Sequence, residues 1–258
     1  MLSSQPRNLE LLGIQAEASL DGHGRIIGCY GVTIASCEDG HALWIGAGVP
    51  DAVATELTAT FDRASPPMKP TDPPPALDLC ERLLASGDGL MQRAGGPSYL
   101  IAPDTRFDAG VAIERSGGSG VDRLRNANPG NWHPVEWDEL LRGQLGPWAI
   151  ATDGDHAISI CHTPGPLTER AAECGVWTDP RFRGHGYAAA TAAAWVALVR
   201  SPRRHLFYST DADNLSSQRV AQRLRLRELG WTWRLYRAPG HPDDRLHPLC
   251  SLHKRAKT

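Results

Sequence analysis

The chain has 258 residues, long for one ordinary domain and comfortable for two. Its net charge of −2 and isoelectric point near 6.5 leave no overall field to recruit nucleic acid or an anionic membrane. No apolar run reaches membrane-spanning length, and residues 1–6 lack the apolar core of a signal peptide, so a cytoplasmic protein is expected. Cys29, Cys37, Cys80, Cys161, Cys174 and Cys250 include no close CxxC pair, so reduced thiols are expected, with neither a zinc site nor a disulfide framework.

In chain order, Arg25 to Ser36 reads as a strand, with His41 to Ile45 as its hairpin partner across Glu38-Asp39-Gly40. Asp51 to Arg63 has Val53, Leu57 and Phe61 at helical spacing, with Asp51 as N-cap. The proline-rich run 65–75 is a stiff surface connection. A helix from Ala76 to Ala85 and a strand around Ser98 to Ala102 complete a first block that carries no motif of chemistry. A strand at Gly110 to Arg115 and a short helix at Val121 to Asn126 flank the glycine-rich break 116–120. The helix from Pro134 to Arg142 starts through Asn131-Trp132-His133-Pro134, where proline suits a first turn. Pro147 to Thr152 and His156 to His162 are strands joined by Asp153-Gly154-Asp155. There follow a strand from Arg170 to Trp177, an alanine-rich helix from Ala188 to Arg200 and a strand from His205 to Thr210. The turn Asp211-Ala212-Asp213-Asn214 leads to a helix at Ser217 to Leu226, capped by Asn214 or Ser216 and closed by Gly230. Trp231 to Tyr236 alternates as a strand, and the polar tail after Ala238 is expected to be poorly ordered.

The stretch from Glu173 to Tyr187 concentrates the chemistry. A run of β-formers stops at Asp179-Pro180, passes two arginines and two glycines, and enters the alanine-rich helix. Such a turn leaves backbone N–H groups without helical partners at the positive end of the helix dipole, which suits a phosphate. Arginines also crowd the segment 181–237, which suits a polyanionic small ligand at least as well as a nucleic acid. Taken alone, the glycines equally fit a tightly packed start of a helix. A Rossmann site needs GxGxxG directly after a parallel strand and an acidic residue further on, a spacing this stretch does not supply.

Arg181-Phe182-Arg183-Gly184-His185-Gly186 matches the (Gln/Arg)-x-x-Gly-x-(Gly/Ala) signature of the GCN5-related N-acetyltransferases (GNAT). From about Gly110 to Tyr236 the chain resembles that family in its order of elements, including the Tyr208-Ser209-Thr210 strand, Asn214, and the helix bearing Ser217, Val220 and Ala221. It is most similar to the two-domain branch with FR47-like features. The resemblance implies a GNAT fold of mixed α/β (α+β) class, with a central, mostly antiparallel twisted sheet flanked by helices. It places an acetyl-CoA-binding catalytic domain at 109–258; the N-terminal α/β domain at 1–108 is read, from its mix of strands and helices alone, as a degenerate copy of the same fold that shapes the acceptor pocket. Acetyl-CoA is the implied cofactor and a primary amine of a small molecule (amino acid, polyamine or antibiotic-like) the implied acceptor. A monomer or homodimer without nucleic-acid or membrane partners is expected. Protein or peptide acetylation and a non-catalytic acyl-CoA-binding module are the alternatives.

The same resemblance distributes roles. Backbone amides of Arg183, Gly184, His185, Gly186 and Tyr187, with Arg181 and Ala188 at the ends, wrap the pyrophosphate, and the glycines let it approach. The strand Cys174 to Thr178 splays from His205 to Thr210, so that Val176, Trp177 and Thr178 on one side and Ser209 and Thr210 on the other border the pantetheine; Asn214 hydrogen-bonds the cofactor or caps its helix. Acyl transfer to an amine needs a base, a polarised carbonyl and a proton for the thiolate. Glu173 holds the base position, with Cys161 and His162 as weaker candidates near the acceptor, and Val176 backbone polarises the carbonyl. The family's tyrosine acid falls on Ala221, leaving Tyr208, Ser209, Ser217 or water to supply the proton. Trp132, His133 and Trp137 either wall the acceptor site or anchor the core.

Overall fold

The computed structural model describes residues 6–85 and 91–237; the expected polar tail and Cys250 lie outside these. The described residues fall into two compact units.

The first unit gathers residues up to Tyr99, Ser209–Asn214 and the strand residues from Glu228 onward. Helix α1 (Asn8–Glu17), which the sequence reading left unassigned, precedes strands β1 (Tyr30–Cys37) and β2 (Gly40–Ile45). These pair antiparallel from Val32 opposite Ile45 to Cys37 opposite Gly40, which leaves Glu38 and Asp39 as the turn. In the strand order, β10 (Arg227–Arg237) lies between β1 and β3 (Met91–Ile101). The buried hydroxyls of Ser98 and Thr232 stand 3.1 Å apart and tie β3 to β10. Alternation along β1 turns Val32 and Ile34 to one face, where Ala54 and Leu57 of α2 (Asp51–Arg63) and Leu77 and Cys80 of α3 (Pro75–Leu84) complete the core.

Several expected boundaries shift for identifiable reasons. β1 starts at Tyr30 because Ile26 makes isolated bridges to Leu20 and Gly46 instead of extending the strand. Asp51 is the first helical residue rather than the cap; Pro50 is the N-cap, and the Asp51 carboxylate accepts from Arg25 Nη2 at 2.9 Å. Gly230 does not close a helix. It lies inside β10 at φ 149°, where a Cβ would stand 2.4 Å from the Ser36 carbonyl oxygen.

The second unit gathers residues 100–208 and Leu215–Arg227. Strands β4 (Ala112–Arg115), β5 (Trp148–Asp153), β6 (His156–His162) and β8 (Gly175–Thr178) pair antiparallel in that order, whereas β7 (Ala171–Glu173) and β9 (His205–Ser209) pair in parallel. One face of the four-stranded sheet carries α4 (Pro134–Leu141) and the 3-10 turn Val121–Asn126, whose Leu124, Trp137 and Leu140 pack on Trp148, Ile150 and Ile160. The opposite parity of β6 brings Ser159 to α5 (Tyr187–Val199), whose Thr191 Oγ1 lies 3.4 Å from Ser159 Oγ. Every residue of α5 from Ala189 to Val196 is buried, as suits a helix apolar nearly all round. α6 (Leu215–Arg223) packs on α5 and ends earlier than expected, with Arg225 in the left-handed region at φ 55°. The class is therefore the mixed, mostly antiparallel α/β fold expected. No helix among the described residues is long and apolar enough to cross a membrane.

Candidate functional site

The strand expected from Arg170 to Trp177 is broken at Cys174, and the break creates the site. Before it, Ala171, Ala172 and Glu173 pair with His205, Leu206 and Phe207 of β9. After it, Gly175, Val176, Trp177 and Thr178 pair instead with His162, Cys161, Ile160 and Ser159 of β6. Cys174 N–H still donates to Phe207 O at 3.1 Å, the last such bond on that side. Backbone groups change sides at every residue of a strand. Asp179 N–H donates to Ile158 O at 2.9 Å, so Trp177 and Gly175 also face β6, while Val176 and Thr178 face the edge that β7 shares with β9. Past Cys174 the two strands diverge with these polar groups directed into the gap.

The strand then runs into the glycine turn. Asp179 caps the 3-10 turn Pro180–Phe182 by accepting from Arg181 N–H at 2.9 Å, and its carboxylate also takes the Arg181 guanidinium at 2.7 and 3.2 Å. That guanidinium holds the Asp179 carboxyl below its usual range, with the Arg181 amide adding to the effect. Arg183 Nε donates to Thr178 O at 3.3 Å, and His185 Nδ1 lies 3.0 Å from Arg183 O and 3.2 Å from Phe182 O. The His185 ring stacks on Tyr187. Gly184 and Gly186 adopt φ 88° and 90°, conformations that strain any residue with a Cβ. A Cβ on Gly184 would meet nothing within 4 Å, so the turn has open space on that side. The helical ladder of α5 begins with Ala190 N–H donating to Gly186 O at 3.0 Å, so the preceding amides form an uncommitted helix start. A diphosphate fits this geometry: open space at Gly184, amides at a helix N-terminus, and a polar-edged gap leading away from it.

Other expected site residues separate by role. Tyr208 is 2% exposed and its hydroxyl lies 2.8 Å from Oγ of the half-buried Ser217 on α6, so two of the candidate acids form one hydrogen-bonded pair. Ala221 is buried at 1% exposure and brings no acid to its position. Ser209, Thr210 and Asn214 group with the first unit, where Thr210 N–H donates to Pro97 O at 3.2 Å and Asn214 N–H to Asp211 O at 3.1 Å. Trp137 is a core anchor: its indole donates to Leu124 O at 2.9 Å. Trp132 is likewise buried and meets both Trp137 and the His162 ring edge-on. His133 is the exposed N-cap of α4, its ring accepting from Val135 N–H at 3.4 Å. Cys161 lies against Cys174, and burial pushes its thiol well up, away from nucleophilic character. His162 is opposite Gly175, and burial lowers its pKa to about 4, so its ring is neutral near pH 7. By alternation Glu173 shares the face of Gly175 and Trp177, the face on which Trp177 meets the Trp132–Trp137 cluster.

Two residues around the turn carry no motif that sequence reading could find. A Cβ on Gly186 would stand 3.1 Å from Phe107 Cε1 and 3.1 Å from Arg223 Nη1. Arg223, at the end of α6, also reaches Gly184 O at 3.5 Å. The surplus of arginines downstream of the glycines was the one available hint, and it did not single out Arg223.

Comparison with known proteins bears on the family of this domain. Residues 105–227 match the family model of the acetyltransferase (GNAT) domain. No curated protein matches the sequence. Among solved structures, a GNAT-family protein from Novosphingobium aromaticivorans is 19% identical over 75% of this chain and 82% of its own, with a TM-score of 0.44. A GCN5-related N-acetyltransferase-like protein from Streptococcus suis is 20% identical over 63% and 68%, with a TM-score of 0.42. An aminoglycoside N-acetyltransferase in complex with CoA is 20% identical over 45% and 88%, with a TM-score of 0.33. The domain match, which spans the broken strand, the glycine turn and α5, carries the assignment: over residues 105–227 the chain is a member of the GNAT acetyltransferase family.

Proposed function

We propose that the protein transfers an acetyl group from acetyl-CoA, the family's cofactor, to the primary amine of a small molecule such as an amino acid, a polyamine or an antibiotic-like compound. The break at Cys174 carries this reading, because it ends the pairing with β9 on the edge to which Val176 and Thr178 direct their polar groups, immediately before an open glycine turn at a helix start. Amides from Gly184 to Ala188 hold the diphosphate, and Val176 and Thr178 hold the pantetheine amides, with Val176 N–H placed to steady negative charge on the acyl oxygen. When bound, acetyl-CoA supplies an activated acyl group. Glu173 takes the proton from the acceptor ammonium, directly or through water. The Tyr208–Ser217 pair returns a proton to the sulfur, the Tyr208 hydroxyl donating and Ser217 Oγ orienting it. A division of the chain near 108/109 into an N-terminal block and this catalytic domain belongs to the same proposal.

The full chain, incubated with acetyl-CoA and a panel of amino acids, polyamines, aminoglycosides and peptides, tests it through release of free thiol. Release that depends on a small amine is expected. Release only with peptides would move the acceptor to a protein, and tight CoA binding with no release for any amine would leave a binding module.

A further inference from the structure

We infer that Arg223, outside the signature, is the cationic contact to the CoA diphosphate; this rests on the glycine turn being the CoA site. The arginines of the signature itself are engaged elsewhere. Arg181 is forked onto Asp179, which offsets its charge, and Arg183 leans back along the strand, its Nε 3.3 Å from Thr178 O and so directed away from the two glycines. Arg223 is different. It projects from the end of α6, is exposed, has no carboxylate partner among the described residues, and lays Nη1 3.5 Å from Gly184 O. The same nitrogen is 3.1 Å from where a Gly186 side chain would begin. Both glycines of the turn are thus within reach of one guanidinium that has no carboxylate partner among the described residues.

The charge arithmetic favours this arrangement. A diphosphate carries more negative charge than one helix terminus offsets, since the dipole is worth about half an elementary charge there. Guanidinium matches phosphate oxygens bidentately, and the 3.5 Å contact to a neutral carbonyl is long enough to be exchanged for a shorter charge-assisted bond. Because Arg223 comes from a different helix than the turn, it also makes diphosphate binding sensitive to how α6 packs on α5.

Titration of CoA and of 3′-dephospho-CoA into the full chain, with Arg223→Gln, Arg223→Lys and Arg200→Gln variants, tests the assignment. Arg200 sits exposed at the far end of α5, so its replacement removes the same charge away from the turn. The expected result is a loss of affinity of about tenfold or more in Arg223→Gln for both ligands, an intermediate loss in Arg223→Lys, none in Arg200→Gln, and a weaker dependence on salt in Arg223→Gln. Thermal melting checks that each variant folds, and Arg223→Lys, which keeps the charge, carries the test if Arg223→Gln does not. Equal affinity of Arg223→Gln and wild type overturns the assignment. So does a loss confined to CoA, which moves the contact to the 3′-phosphate, or an equal loss in Arg200→Gln, which reduces it to net charge. Wild-type protein that binds neither ligand overturns the CoA reading of the turn itself.

Discussion

Glu173 stands one residue before the break that frees Val176 and Thr178, so its role is separable from cofactor binding. Glu173→Gln is expected to lower kcat by about a hundredfold or more while leaving CoA affinity nearly unchanged, with the loss largest at low pH where the amine is most protonated. Steady-state thiol release and CoA titration on one preparation give both numbers. His162 makes a different prediction, about stability. Burial lowers its folded pKa to about 4 from an ordinary value of 6.5, so between those values the unfolded chain binds the extra proton and stability falls as the pH drops. The loss levels off below about pH 4 and amounts to at most roughly 3.5 kcal/mol. Urea midpoints of wild type and His162→Phe at pH 7 and pH 5 check it; the wild type should lose more on acidification. Neither feature is legible from residue type alone, because a histidine in a strand is neutral or charged according to neighbours that the sequence does not order.

At the scale of the element, the turn between β8 and α5 combines two glycines that look equivalent in sequence and are not. Both hold φ near 90°, which costs a residue with a Cβ roughly 1–2 kcal/mol. Gly184 has open space beside it, whereas a Cβ on Gly186 would press on Phe107. Gly186→Ala is therefore expected to lower the melting temperature more than Gly184→Ala. Gly184→Ala is expected to weaken CoA binding beyond its effect on stability, since its methyl would enter the space assigned to the diphosphate. Paired melting and CoA titrations distinguish the two positions. The hydroxyls of Ser159, Thr178 and Thr191 support this junction from beneath: Ser159 Oγ stands 2.8 Å from Thr178 Oγ1 and 3.4 Å from Thr191 Oγ1, and Thr191 donates to Tyr187 O at 3.1 Å. The strand that ends in the turn and the helix that begins from it are thereby fixed to the same strand, β6.

For the molecule as a whole, the two compact units interleave in sequence. β10 follows the family domain in the chain, yet in the first unit it lies between β1 and β3, both of which precede that domain. Deleting residues 1–99 removes the partners of β10 on both sides and leaves that strand, with Trp231 and Trp233, unpaired along both edges. The truncated chain is expected to aggregate, as read by size-exclusion chromatography, whereas the full chain remains dispersed. A soluble, monomeric fragment from residue 100 onward would contradict this.

The sequence by itself determined the fold class, the succession of most elements and the glycine turn, because periodicity, turn chemistry and a short motif are local properties of the chain. It marked Glu173 and the strand to Thr178 by their place in that succession. Only the tertiary structure decided that the strand breaks at Cys174, since exchanging a β9 partner for a β6 partner is a choice between distant segments. It likewise put Trp137 in the core, joined Tyr208 to Ser217, moved Gly230 from a helix end into a strand, and brought Phe107 and Arg223 to the turn. Each of these depends on which faces meet across long separations in sequence, and side-chain partners of that kind leave no spacing for a one-dimensional reading to detect.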